Sequence, residues 1–250
     1  MKLLVTVFSA LILFSSTHAD APLEKTGTYK TTADSVQGGK FTDGKDLRNI
    51  RWGVNKGFER IVLDIHYGSS YKKGPPAEVP CRYKVKYEYY PFRFTVEMSG
   101  IRAVNAEFGP LEKSTLVRET YRIPYLDDSG MKFAVSLKKP VEYEIFELHD
   151  PARIVLDIRQ NASPQDLPAV YSVRTSADLG YEQLGHIEEQ LIGSGSKNTR
   201  IIKTPEGMFV EEGYYPTRER AQERLKMISP KVEGKVEFFI EKRDSGFPQE

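Results

Sequence analysis

Few side chains in this 250-residue sequence have the type and spacing that catalysis requires. Asp64 and His66 stand two apart in a strand-like run, so alternation places them on one face, and Cys81, His149 and Asp150 are the raw material of a thiol site. Catalysis needs nucleophile, base and orienting group within hydrogen-bond reach, and no spacing here enforces that. The sequence holds no nucleophile elbow, phosphate-binding loop or zinc signature, and one cysteine with four scattered histidines makes neither an internal disulfide nor a metal cluster. The chain therefore reads as a non-enzyme without cofactor or metal. A second group of residues suits binding instead. Ser172 and Arg174 alternate with Tyr171 and Val173 and face outward if the latter pair is core. Arg200 and Phe209 lie on neighbouring runs, and Tyr214 and Tyr215 stand where a strand turns into a helix. Hydroxyl donors, a guanidinium fork and flat aromatic rings are the equipment of a ligand-binding sheet face. Each tyrosine can equally well stack on a ligand or pack under the helix.

The elements that would position these residues follow a strand, helix, strand, strand, helix, strand pattern over residues 169–243. Ala169 to Thr175 alternates; Asp178 is a helix cap before Tyr181, Leu184, Ile187 and Leu191 at helical spacing; Thr199 to Thr204 and Met208 to Glu212 are strands around a Pro-Glu-Gly turn. Thr217 caps a second helix with Ala221, Leu225 and Ile228 as its apolar stripe, Pro230 halts it, and Lys235 to Ile240 is the last strand. That order predicts a ferredoxin-like four-stranded antiparallel sheet with two helices on one face and the other face open.

A polar, two-proline connector at 161–168 precedes this unit, and upstream of it residues 47–160 read as strand after strand. Tyr83, Val85 and Tyr87 alternate with Lys84 and Lys86, and similar alternation runs through Phe92 to Met98 and Met131 to Leu137, which predicts a β-sandwich. Two near-identical runs, Arg60-Ile61-Val62-Leu63-Asp64-Ile65 and Arg153-Ile154-Val155-Leu156-Asp157-Ile158, put aliphatic residues on one face and Arg, Val and Asp on the other. The polar residues are expected to close strand ends. Residues 22–46 are rich in Gly, Thr, Ser, Lys and Asp and read as a disordered leader. Residues 1–21 have a lysine, a short apolar run and a small-residue exit, the pattern of a cleavable signal peptide ending at Ala19 or Ala21, and 244–250 is a tail. A periplasmic or secreted protein without a stable membrane anchor is expected. The formal charge of +1, with both signs interspersed, gives no field for holding nucleic acid.

Two resemblances attach to these residues. The run Gly57-Phe58-Glu59-Arg60-Ile61-Val62-Leu63-Asp64-Ile65 near Trp52, the alternating strands after it and the closing Pro151-Ala152-Arg153-Ile154-Val155-Leu156-Asp157-Ile158 resemble the AMIN family, β-sandwich modules of bacterial envelope proteins often attached to peptidoglycan amidases and secretins. The run Gly213-Tyr214-Tyr215-Pro216-Thr217-Arg218-Glu219-Arg220-Ala221, with Leu225 beyond it, is similar to the second half of a SPOR domain, and Tyr171 to Ser176 resembles that family's first strand. Where the family usually has Gln this chain has Arg174, and Ser176-Ala177-Asp178 replaces the usual Gly-Ser-Phe. The SPOR resemblance implies binding of peptidoglycan glycan strands stripped of stem peptides, with Ser172, Arg174, Arg200, Phe209, Tyr214 and Tyr215 as candidate contacts, and the AMIN resemblance implies a second envelope-targeting module. The alternatives are an adaptor that docks on an envelope secretion, division or polysaccharide-export complex, and a regulator of a separate amidase.

Overall fold

The computed structural model describes residues 22–68 and 74–243; the expected signal peptide and tail lie outside them. The first ten strands are β1 (Ser35–Gly38), β2 (Lys45–Asn55), β3 (Phe58–Tyr67), β4 (Tyr83–Glu88), β5 (Arg93–Ser99), β6 (Ile101–Val104), β7 (Val117–Ile123), β8 (Gly130–Leu137), β9 (Val141–Leu148) and β10 (Arg153–Gln160). They form two five-stranded sheets, ordered β1-β4-β5-β8-β7 and β6-β2-β3-β10-β9. Alternation decides which residues meet between them: Tyr83, Val85 and Tyr87 are buried while Lys84 and Lys86 are exposed, and Ile61, Leu63 and Ile65 join Ile154, Leu156 and Ile158 in the shared core.

The two Arg-Ile-Val-Leu-Asp-Ile runs lie side by side as β3 and β10, antiparallel about Val62 and Val155. The register sets Arg60 opposite Asp157 and Arg153 opposite Asp64, so the polar residues pair across strands rather than closing strand ends. Arg60 holds Asp157 through two hydrogen bonds of 2.6 and 2.7 Å, whereas Arg153 approaches Asp64 only to 3.9 Å because Arg51 takes that carboxylate at 2.6 and 2.7 Å.

Residues 22–46 are not a loose leader. The backbone of β1 pairs with β4, Lys30 bonds both ways with Tyr143, and Leu23 accepts from the Glu147 N–H. Lys25 reaches Asp157 at 2.8 Å, and Thr26 and Gly27 donate to Glu144. Polar composition hid this because the segment is held chiefly by main-chain and charge-assisted bonds, with Leu23 and Val36 as its apolar contacts to the core.

The remaining elements are β11 (Val170–Thr175), α1 (Tyr181–Gly193), β12 (Thr199–Thr204), β13 (Gly207–Tyr215), α2 (Arg218–Ile228) and β14 (Phe238–Arg243), with a short 3-10 turn at Ser229–Lys231. Their strands make one antiparallel sheet, β12-β13-β11-β14. Thr217 caps α2 by accepting from Arg220 N–H at 3.3 Å, but Gly180 rather than Asp178 stands at the start of α1, with no side-chain cap.

The expected division into a sandwich and a ferredoxin-like C-terminal domain is overturned. The described residues are mostly β, 48% strand against 12% helix, in three sheets with two α-helices, and no single ferredoxin-like domain stands clear of the rest. The physical reason is a shared core: Tyr121 and Ile123 of β7 and Ala134 of β8 are buried together with Leu184, Ile187 and Leu191 of α1, Val173, Ile201 and Val210. Gly185 permits this approach, since a Cβ there would stand 3.0 Å from Leu126 Cδ2 and 3.5 Å from Pro124 Cβ. Lys132 of β8 and Glu188 of α1 close the seam at 2.7 Å, and Lys203 of β12 meets Glu119 of β7.

Candidate functional site

On the third sheet, Val173, Val210, Ile201 and the half-buried Phe238 and Ile240 face the helices. The residues between them form the opposite surface, which carries a row of alternating rings and guanidinium groups. Arg174 lies between Phe239 and Phe209, with its guanidinium carbon 4.2 and 4.4 Å from the two ring centres. Arg243 follows, 5.7 Å from Phe209 and 5.9 Å from Tyr214, and Arg200 stands 4.5 Å over the far side of Tyr214. Such stacking stabilises by about 0.5–2 kcal/mol per pair, more as water is excluded.

Glutamates neutralise the row. Glu211 accepts hydrogen bonds at one oxygen from Arg200 and from the Tyr214 hydroxyl, each at 2.6 Å, and its other oxygen lies 2.6 Å from Arg243 as an ion pair out of line for a hydrogen bond. Glu241 lies 2.7 Å from Arg174 Nε, close enough for Coulomb attraction but out of line for a hydrogen bond, and accepts one from Arg243 at 3.2 Å. Burial pulls the Arg174 and Arg200 guanidinium groups below the usual arginine range, with Glu241 and Glu211 respectively opposing it. Both stay charged, because an arginine starts so far above neutrality.

The open face that the element order predicted is only partly open. The turn between β4 and β5 lies over one end of it: the Tyr90 carbonyl accepts from Arg200 at 3.2 Å, from Arg243 at 3.3 Å and from the Tyr214 hydroxyl, and the Tyr90 ring meets Tyr214 edge-on at 4.7 Å. Arg200 also donates to Tyr89 O at 3.0 Å, and the Tyr90 hydroxyl donates to Pro168 O at 2.6 Å. Beneath that turn Arg93 bonds Glu88 at 2.8 Å, Tyr121 OH at 3.0 Å and Ile201 O at 2.7 Å. Burial alone would push the Glu88 carboxyl up, but Arg93, Arg200 and Lys86 outweigh it and hold the group well below the usual carboxylate range.

Among the six predicted contacts, Ser172 is 0% exposed with no partner for its hydroxyl, Phe209 is 1% exposed and Arg200 9% exposed. Tyr214 is half-buried against Arg200 and Glu211, while Tyr215 is half-buried on the helix side, bonded to Glu212, whose other oxygen takes Arg224 of α2 at 3.0 Å. The Tyr214 and Tyr215 hydroxyls are taken up by protein partners, which leaves Arg174 as the partly exposed polar group beside Phe239, 37% exposed, which no sequence pattern singled out. Glu211, Glu241 and Arg243 were missed as well. Their signal was present as charged residues at the outward positions of alternating strands, but without the covering turn in view such residues read as ordinary solvated side chains.

The residues first considered for catalysis are held apart in other contacts. Asp64 serves Arg51, His66 Nδ1 lies 3.0 Å from Gly74 O, and His149 Nε2 lies 3.0 Å from Glu147 Oε2. Cys81 is buried, and burial pushes its thiol up to about 12. Among the described residues no group of three or more His, Cys, Asp or Glu side chains is placed to hold a metal, and no helix is long and apolar enough to cross a membrane. No protein-family model, curated protein or solved structure matches the chain.

Proposed function

We propose that this chain is a non-catalytic envelope protein that binds glycan strands of peptidoglycan, with the third sheet as its contact surface and the sandwich as the platform that fixes that sheet. The observation that carries this reading is the uncovered end of the ring-and-guanidinium row, where Phe239 presents an exposed ring beside the Arg174 edge. A ring of that kind stacks on the apolar face of a sugar, and a guanidinium edge suits the lactyl carboxylate that each stripped muramic unit retains. The footprint is narrower than six residues: Ser172, Phe209, Arg200 and Tyr214 support the two contact residues from below and from the covered end.

The test is co-sedimentation with purified sacculi before and after amidase digestion. The bound fraction is expected to rise on digestion, and Phe239→Ala and Arg174→Ala are each expected to weaken binding several-fold, about 1 kcal/mol per lost ring or charge contact. Binding that digestion does not raise, or that survives both substitutions unchanged, overturns the reading.

A further inference from the structure

A second surface lies where the sandwich meets the third sheet. The outer face of the β4-β5-β8 part of the sandwich is a grid set by register: Lys84, Glu97 and Lys132 form one row, Lys86 and Thr95 the next, and Glu88 and Arg93 the third. The first residues of β12, Thr199 and Arg200, make the opposing wall, and together these nine residues line a cleft of about 120 Å³. That volume is well below the roughly 300–1,000 Å³ of a pocket that swallows a whole small molecule, so the cleft is sized for one group of a ligand.

Charge decides which group. The lining holds five cations, Lys84, Lys86, Arg93, Lys132 and Arg200, against two carboxylates, Glu88 and Glu97. Lys86 meets Glu88 at 3.0 Å and Lys132 meets Glu188 at 2.7 Å, each at a single oxygen, and an ammonium has three donors. Lys84 makes no ion pair among the described residues, while Arg200 is held by Glu211 and by the Tyr89 and Tyr90 carbonyls, with its Nε buried, and so brings charge to the wall rather than a free donor. Ammonium donors therefore approach one small volume from β4 and β8, and Thr199 and the Arg200 charge face them from β12. A planar carboxylate meets such an arrangement with two oxygens in one plane, whereas a phosphate, as monoester or diester, sets its free oxygens tetrahedrally about phosphorus, out of one plane with its ester oxygens, and lysine serves it as a point charge.

We propose that this cleft is a binding site for a single phosphate group, gripped jointly by the sandwich and the third sheet. The site is separate from the Phe239 end of the sheet and does not depend on glycan recognition there. Occupation ties β4 and β8 to β12, so it raises the stability of the seam by mass action as well as holding the ligand.

The test is calorimetric titration of the full chain with inorganic phosphate, with glycerol 3-phosphate and with acetate, alongside flotation with phosphatidylglycerol and phosphatidylcholine vesicles. Saturable binding of phosphate and glycerol phosphate, with acetate clearly weaker, supports the site. Selective capture on phosphatidylglycerol vesicles then assigns a lipid source, and silence of both vesicles assigns a soluble or polymer-borne one. Lys84→Ala with Lys86→Ala is expected to weaken phosphate binding about tenfold, since two charge-assisted contacts are lost from partly exposed side chains. Lys84 is exposed and makes no ion pair among the described residues, so Lys84→Ala alone should melt as the parent does and still weaken phosphate binding; Lys86 also neutralises the buried Glu88 at 3.0 Å, so the double variant is titrated at a temperature where its circular dichroism shows it folded, and Lys226→Ala on the exposed side of α2 removes the same type of charge elsewhere. Absence of saturable phosphate binding, acetate binding as tight as phosphate, or an equal loss in the Lys226→Ala control overturns the proposal.

Discussion

Glu211→Gln probes the seam most directly. Glu211 is 1% exposed and is the shared counter-charge for Arg200 and Arg243, each at 2.6 Å, with the Tyr214 hydroxyl at 2.6 Å. Glutamine keeps the shape but removes the negative charge, leaving two buried guanidinium groups with one fewer anion between them. Breaking a buried ion pair costs about 3–5 kcal/mol, a large share of the roughly 5–15 kcal/mol by which a typical protein is stable. For a chain of this size that corresponds to a fall in Tm of roughly 6–20 °C. Two probes report on different places: the single tryptophan, Trp52, lies in β2 of the sandwich, and both helices belong to the third sheet. Urea unfolding followed by Trp52 fluorescence and by the helical circular dichroism signal should give coincident transitions in the parent and a coincident shift in Glu211→Gln. A Trp52 transition that stays put while the helical signal moves would show two independent units and refute the shared seam; a loss below about 1 kcal/mol by both probes would refute the energetic role of Glu211.

Two further outcomes follow from the burial of single groups. Cys81, with its thiol raised to about 12, should react with a disulfide reagent roughly a thousandfold more slowly than a free cysteine in the folded chain and at the ordinary rate in urea; prompt labelling without denaturant would contradict its placement in the core. Asp64, Asp157 and Glu88 all have carboxyl groups held below their usual range, because contacts with arginine, joined by Lys25 at Asp157 and Lys86 at Glu88, outweigh the upward push of burial. A depressed folded value means stability that is present above the unfolded pKa of about 4 and is lost as pH falls through the folded values, so the urea midpoint should be level from neutral pH to about 5 and decline below about 4. A midpoint unchanged at about pH 3 would contradict these pairings.

How much of this could be read in the sequence depended on whether a side chain or the main chain does the holding. Helix α1 was legible because Leu184, Ile187 and Leu191 recur at helical spacing, and the strands of the sandwich because Tyr83, Val85 and Tyr87 alternate with lysines. Strand β1 was not, because Ser35 to Gly38 joins the sheet through backbone bonds that its polar side chains do not announce. The register of β3 against β10 was half legible: the repeat fixed which residues share a face, but not that Arg60 would stand opposite Asp157, which needs the pairing partner. The candidate face was the hardest case. Alternation tells inward from outward relative to one core, yet Arg200 and Arg243 point away from the helices into a second buried layer supplied by Tyr90, 110 and 153 residues away in sequence. No local pattern separates a solvated arginine from one covered by a distant turn.

The same seam changes what the connector can do. A flexible tether would let two weak sites search for a common polymer independently and gain by effective concentration. Here the connector is pinned at both ends, by Asn161 N–H to Pro140 O at 3.2 Å and by the Tyr90 hydroxyl to Pro168 O at 2.6 Å, and the units beyond it share buried residues. A site on the sandwich would therefore sit at one fixed spacing from the one proposed at the Phe239 end of the third sheet. A rigid pair of sites gains over either alone only when the ligand's own repeat matches that spacing, so such a pair on this chain would select for an ordered polymer over a short fragment rather than strengthen both alike. Short, soluble glycan fragments should accordingly compete poorly with intact strands even where each fills the Phe239 end completely.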